Sequence, residues 1–181
     1  FAKGLLIALR HKQYRILEII SNAAQALSEG ELLQIEKARR LDIDESIYFD
    51  VIRQKTASLI AASCMAGAAS TTQDEETLEL MHDFGEKIGI AFQIKDDLFD
   101  FGVEDIGKPR GIDIKEKKMT LPLIHALSQA NTTERRRIIR IIKKQSDKPE
   151  KVAEVIRFVY ESEGLSYAEA AMLRYRDEAF A

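Results

Sequence analysis

The 181-residue sequence contains a single cysteine, Cys64. One thiol excludes an intrachain disulfide and a cysteine metal cluster, and such a chain suits a reducing cytoplasm. There are only three prolines and nine glycines, and no region alternates polar and apolar residues as a half-buried strand does, which leans toward an all-α chain. No apolar run reaches the roughly 18 residues a membrane-spanning helix needs. The longest weakly polar run, residues 59–69, is short and rich in alanine and serine. No signal-peptide pattern stands at the start. The opening on Phe1, inside an apolar pattern, is what a partial polypeptide would show. A basic excess is also missing. Lysine and arginine number 27 against 30 acidic residues, a net charge of -3, which argues weakly against a nucleic-acid-binding domain. The same figure neither favours nor excludes an anionic ligand, because local charge decides that.

What is present fits one soluble domain with a sizeable core: 45% hydrophobic and 31% charged residues. Apolar residues recur at helix spacing through most of the chain. The pattern predicts the end of a helix over residues 1–10 and a long amphipathic helix over 14–34. Further helices are expected at about 45–69, 74–101, 120–130, 133–145 and 149–163, with one more after Gly164. Gly30 lies inside the second of these and costs about 1 kcal/mol against alanine, so close packing or a ligand is expected to be its reason. The residues around Asp42–Ser46, Thr71–Glu76, Asn131–Thr133 and Asp147–Pro149 are the breaks, and Pro122 sits at a tolerated first-turn position.

The most informative stretch is Phe92-Gln93-Ile94-Lys95-Asp96-Asp97-Leu98-Phe99-Asp100. Ile88, Ala91, Phe92 and Phe99 supply its apolar positions. Gln93, Asp96, Asp97 and Asp100 fall at i, i+3, i+4 and i+7 and share one helix face. Three carboxylates on one face repel each other, so positive charge is expected beside them. The next segment carries Lys108, Arg110, Lys115, Lys117 and Lys118 among Gly102, Gly107, Pro109 and Gly111, which let the chain bend back. Carboxylate oxygens suit a hard divalent cation such as Mg²⁺. The lysines suit the phosphate oxygens that such a cation bridges. A plain solvated acidic face is the competing reading, and the tight spacing with a basic loop at short range weighs against it.

Other polar residues are weaker signals. Lys55 is a cation among Tyr48, Val51, Ile52, Leu59 and Ala62 on the inner side of its helix; taken alone it would be a snorkelling side chain. Glu31 and Gln34 are one turn apart, equally suited to a polar cavity and to a solvated edge. Ala57, Ala61, Ala62, Ala66, Gly67, Ala68 and Ala69 are small, which lets helices approach closely or leaves room for a long apolar ligand. Phe84 is expected in the core and His82 at the surface. Arg135, Arg136, Arg137 and Arg140 are interleaved with Ile138, Ile139, Ile141 and Ile142. This could be a face for an anionic or membrane surface, but a solvated face on a packed helix is the favoured reading.

Phe92-Gln93-x-x-Asp96-Asp97-x-x-Asp100, followed by Gly107-Lys108, Gly111-x-Asp113 and Lys118, resembles the second aspartate-rich motif of the trans-isoprenyl diphosphate synthases. Gly30-Glu31-x-x-Gln34 and Lys55-Thr56-Ala57 stand where that family has its other second-half signatures. A lone Asp-Asp-x-x-Asp is a weak signal; these matches in one order are a strong one. The resemblance covers essentially the whole chain and implies an all-α isoprenoid synthase-type bundle of antiparallel helices around a deep cavity. It further implies condensation of an allylic diphosphate with isopentenyl diphosphate, Mg²⁺ as cofactor, a cytoplasmic homodimer, and no role for nucleic acid. By the same resemblance Asp96 is the direct metal ligand, with Asp97 and Asp100 binding through water or supporting the site. Lys55, Lys108 and Lys118 would hold the allylic diphosphate, Thr56 and Gln93 would lie near the reacting carbon, and Asp113 would orient the loop lysines. The first aspartate-rich motif and the isopentenyl diphosphate site would lie upstream of Phe1, making residues 1–181 the C-terminal part of one synthase domain, inactive alone. A class I terpene cyclase and a non-catalytic subunit of a heteromeric prenyl synthase are the rivals. The Lys-Thr-Ala and Gly-Lys elements weigh against the first, and the intact second motif against the other.

Overall fold

The computed structural model describes residues 2–41, 44–102 and 111–181. In chain order the helices are α1 (Ala2–Arg10), α2 (Tyr14–Arg40), α3 (Glu45–Ile52), a π-helical segment (Arg53–Ala57), α4 (Ser58–Ala69), α5 (Glu75–Phe99), α6 (Ile112–Lys115), α7 (Leu121–Gln129), α8 (Thr132–Lys144), α9 (Pro149–Glu161) and α10 (Gly164–Ala179). No strand occurs among the described residues, so the all-α expectation holds.

The caps set most boundaries. The Asp44 carboxylate accepts from the Ile47 N–H, the Asp74 carboxylate from the Thr77 N–H, and the Asn131 carbonyl from the Thr133 and Glu134 N–H groups. Each satisfies backbone donors that the first helical turn leaves unpaired. Three boundaries differ from the sequence pattern. α2 continues past residue 34, through good helix formers, to a left-handed Leu41 (φ 53°) whose N–H donates to the Lys37 carbonyl. The single helix expected over 45–69 is interrupted by the π-helical segment, which holds Lys55, Thr56 and Ala57. α6 was not expected at all; it follows Gly111, whose φ of 72° favours glycine.

α5 is the axis of the fold, packed against α4, the π-helical segment and α10, with further contacts to α3 and α7. Its inner face carries Ile90 and Ile94, which join Leu121, Leu123, Ile138, Ile142, Val155 and Val159 in one buried core. Each such side chain stabilises the fold by about 1.5–3 kcal/mol relative to exposure. Phe84 is half-buried and meets Phe180 edge to face, with centroids 5.7 Å apart. Phe92 departs from its apolar assignment: it is 58% exposed, one turn ahead of Asp96 and off the packed face.

The second face of α5 is almost bare of side chain. A methyl group added at Gly89 would lie 2.5 Å from the Ala57 Cα, and one at Gly85 would lie 2.6 Å from the Ala61 Cα. The alanines read as close-approach residues therefore have glycine partners four residues apart on α5. Gly30 follows the same logic, since a Cβ there would stand 2.9 Å from the Lys55 backbone nitrogen. Close packing against the π-helical segment is its reason, and the backbone that carries Lys55 is held from two sides.

Candidate functional site

A cleft of about 420 Å³ opens where α2, α3, the π-helical segment, α5 and the chain around α6 meet. α2 contributes Gln34 and α3 contributes Tyr48. The π-helical segment contributes Lys55 and Thr56, and α5 contributes Gln93, Asp96 and Asp97. Asp113, Glu116 and Lys118 come from α6 and the turn after it. The structure thus brings together Lys55, Thr56, Gln93, Asp96, Asp97 and Lys118 in one cavity. Lys108 lies outside the described residues. Asp100 shares the helix face but not the cavity wall.

A hydrogen-bonded chain ties three elements together. The Tyr48 hydroxyl donates to Asp97 Oδ2 at 2.7 Å, and Gln93 Nε2 donates to Asp97 Oδ1 at 3.0 Å. Thr56 Oγ1 then donates to Gln93 Oε1 at 2.8 Å. The order of donors settles the direction of each group. Because the Gln93 amide spends its N–H on Asp97, its oxygen turns to Thr56; because Thr56 donates its proton, its lone pairs remain for another partner. Asp97 is only 5% exposed. Burial raises its carboxyl to about 7, against the lowering effect of the Tyr48 and Gln93 hydrogen bonds, and the nearby charges of Asp113 and Asp96 add to the rise. Burial and the Asp97 charge also push the Tyr48 phenol well up. Positive charge in the cleft favours the ionised form of a carboxyl raised this far.

Two ammonium groups are there. Lys55 Nζ donates to Gln34 Oε1 at 2.8 Å and stands 3.4 Å from Glu31 Oε1. Glu31 and Gln34 are therefore both partners of one lysine, Gln34 inside the cleft and Glu31 at its exposed side. Lys118 Nζ lies 3.1 Å from Asp113 Oδ1 and 2.7 Å from Glu116 Oε2. Partial burial works to lower this ammonium; the hydrogen bonds it donates to Glu116 and Asp113 outweigh that effect and raise it to about 12. Asp113 thus pairs with Lys118, one of the loop lysines that the resemblance has it orient. Asp96 is exposed at the cleft.

Asp100 does a different job. Its Oδ1 accepts from the Ile112 N–H at 2.8 Å and its Oδ2 from the Asp113 N–H at 3.2 Å. Burial first, then the Asp113 charge, raises its carboxyl, and these backbone hydrogen bonds act in the opposite direction. The third carboxylate of the triad thereby anchors α6, and with it Asp113 and the turn to Lys118, onto the end of α5.

Sequence reasoning missed Tyr48 as a polar member of the site. It entered only as an apolar marker of the inner helix side. The available signal was its position two turns ahead of Lys55 on the same face.

The fold and site define a family. The polyprenyl synthetase family pattern matches residues 1–159, and the chain belongs to that family. It is 37% identical over 159 residues to the short chain isoprenyl diphosphate synthase of Methanothermobacter thermautotrophicus, covering 87% of this chain and 48% of that protein. It is 41% identical over 130 residues to the octaprenyl diphosphate synthase of Escherichia coli K12, covering 70% of this chain and 39% of that one. The crystal structure of polyprenyl synthase from Caulobacter crescentus CB15, complexed with calcium and isoprenyl diphosphate, superposes with a TM-score of 0.91 at 30% identity over 99% of this chain and 55% of that one. The chain spans about half the length of the relatives it matches.

Proposed function

We propose that the protein carrying this chain is a Mg²⁺-dependent prenyltransferase. It condenses an allylic diphosphate with isopentenyl diphosphate and releases diphosphate. The observation that carries the reading is the single cleft holding a carboxylate at its mouth, two ammonium groups, and a hydroxyl–amide pair aligned by a buried aspartate.

The donor set fits the cation. Among the described residues no three acidic, histidine or cysteine groups gather as a complete metal cage. Magnesium does not require one: it is held by one or two carboxylates, with phosphate oxygens and waters filling the other positions. Asp96 supplies that carboxylate. Both Asp97 oxygens and both Asp100 oxygens are engaged by protein donors, which supports a supporting role for these two. When bound, the cation neutralises charge on the departing diphosphate.

The chain's own residues do the rest. Lys55 and Lys118 hold diphosphate oxygens by charge-assisted hydrogen bonds, and Lys108 is assigned the same work on its motif alone. Asp113 and Glu116 keep Lys118 in place. Thr56 and Gln93 set their oxygens near the allylic carbon, where they favour the positive charge that develops as the carbon–oxygen bond breaks. The isopentenyl double bond attacks that carbon, and a proton leaves the adjacent position. Assembly as a homodimer belongs to the same proposal.

Product analysis of the intact protein with both diphosphates and Mg²⁺ tests the reading. A ladder of prenyl diphosphates ending at one length is expected; a cyclic hydrocarbon formed without isopentenyl consumption, or no turnover, would overturn it. Lys55→Ala is expected to weaken allylic diphosphate binding about tenfold or more, the loss of one charge-assisted contact. Isopentenyl diphosphate binding should change far less. Equal losses in a calorimetric titration of both substrates would remove Lys55 from the allylic site.

A further inference from the structure

α8, packed against α9, sorts its charges between its faces. Ile138, Ile141 and Ile142 are buried and fix the helix to the core. Glu134 and Arg137 turn toward α9, where Arg137 meets Glu154 at 3.6 Å. Arg135, Arg136, Arg140, Lys143 and Lys144 gather on the remaining face, around Ile139, in a groove of about 580 Å³. Among the described residues no carboxylate lines that groove and none pairs with any of the five. Within a chain of net negative charge, this is a segregated cationic stripe roughly 13 Å long at 1.5 Å per residue.

We propose that this face of α8 docks the protein onto an anionic lipid surface. Five cations on one exposed side of an amphipathic helix match the charge of acidic headgroups. The aliphatic stems of arginine and lysine, with Ile139 between them, suit the boundary between headgroup and acyl chain. Nucleic acid fits less well: the stripe is short, carries no aromatic side chain to stack on a base, and belongs to a chain without an overall basic balance. The apolar face of α8 stays in the core, so attachment is by adsorption rather than insertion and is reversible and salt-sensitive. The inference stands apart from the reaction proposed above and needs none of its residues.

The test is co-sedimentation of the intact protein with vesicles of phosphatidylcholine alone and of phosphatidylcholine mixed with an equal part of phosphatidylglycerol. Binding is expected to the mixed vesicles only and to vanish near 1 M salt, where the Debye length is about 3 Å. Each basic residue near an acidic surface is worth about a fivefold change in partitioning. The triple variant Arg135→Gln/Arg136→Gln/Arg140→Gln should therefore bind about a hundredfold more weakly. The single Arg140→Glu should bind about 25-fold more weakly by the same arithmetic. Arg157→Gln/Arg174→Gln/Arg176→Gln removes equal charge elsewhere on the surface and should retain most of the binding. Equal loss in both triple variants, equal binding to neutral vesicles, or no binding by the unaltered protein would overturn the proposal. So would α8-dependent binding to a duplex oligonucleotide in place of vesicles.

Discussion

Asp96→Ala in the intact protein is expected to lower Mg²⁺-dependent turnover by about a thousandfold or more, the equivalent of several kcal/mol of lost charge stabilisation at the leaving group. The size follows from how the three carboxylates of the motif are used. Asp97 is sealed in the wall by Tyr48 and Gln93. Asp100 is committed to the backbone of α6. Neither can take over a cation without giving up contacts that hold the site together. Asp96 stands exposed at the cleft, so its removal leaves the core untouched, and the unfolding midpoint should stay within a few degrees. The measurement is turnover against Mg²⁺ concentration for the variant and the unaltered protein, with circular dichroism alongside. A variant that retains most of its rate at saturating Mg²⁺ would show that the cation is held elsewhere.

Gly89→Ala is expected to cost about 3 kcal/mol of stability, the upper part of the usual range for overpacking. A methyl group at this position would stand 2.5 Å from the Ala57 Cα and 2.8 Å from its Cβ. The nearest atom is backbone, so no side chain can swing aside, and α5 must move away from the π-helical segment. That movement also stretches the 2.8 Å hydrogen bond from Thr56 to Gln93, one residue and one turn from the clash. Activity should therefore fall further than stability alone requires. Gly67→Ala is the contrast: nothing lies within 4 Å of the added methyl, and replacing a helical glycine there should stabilise by about 0.5–1 kcal/mol. Urea unfolding of both variants decides the matter. Similar midpoints for the two would show that the α5 contact tolerates a Cβ.

Much of the site was legible because it rests on helical periodicity. Gln93, Asp96 and Asp97 do share a face, and the capping residues Asp44, Asp74 and Asn131 do start helices. What escaped has physical causes. Tyr48 counts as apolar in any periodic pattern, yet its ring packs against Phe49, with centroids 5.4 Å apart, while its hydroxyl serves the cleft. The Asp100 carboxylate reads like its neighbours, because a side chain that caps a distant backbone leaves no trace in local spacing. Gly85 and Gly89 pass as weak helix residues until the facing helix is known. The small residues Ala57 and Ala61 were legible, but their meeting partners were not. α8 is the packed helix with a solvated basic face that its charge pattern favours, with Ile138, Ile141 and Ile142 buried. What the structure adds is the turning of Glu134 and Arg137 toward α9.

The π-helical segment carries one further consequence. A π turn inside an α-helix amounts to one surplus residue, accommodated by hydrogen bonds that reach one position further. Deleting one residue of 53–57 would let ordinary helical bonding resume with α3 and α4 near their present register. Tyr48 would still face Asp97, but the widened turn that carries Lys55 and Thr56 to Gln34 and Gln93 would be gone. The shortened helix would be locally better bonded and the cleft would lose the wall that those two residues form. Here the number of residues, as much as their identity, is the inherited information: the stretch from Tyr48 to Ala61 works as a ruler whose length is one notch longer than a regular helix would choose.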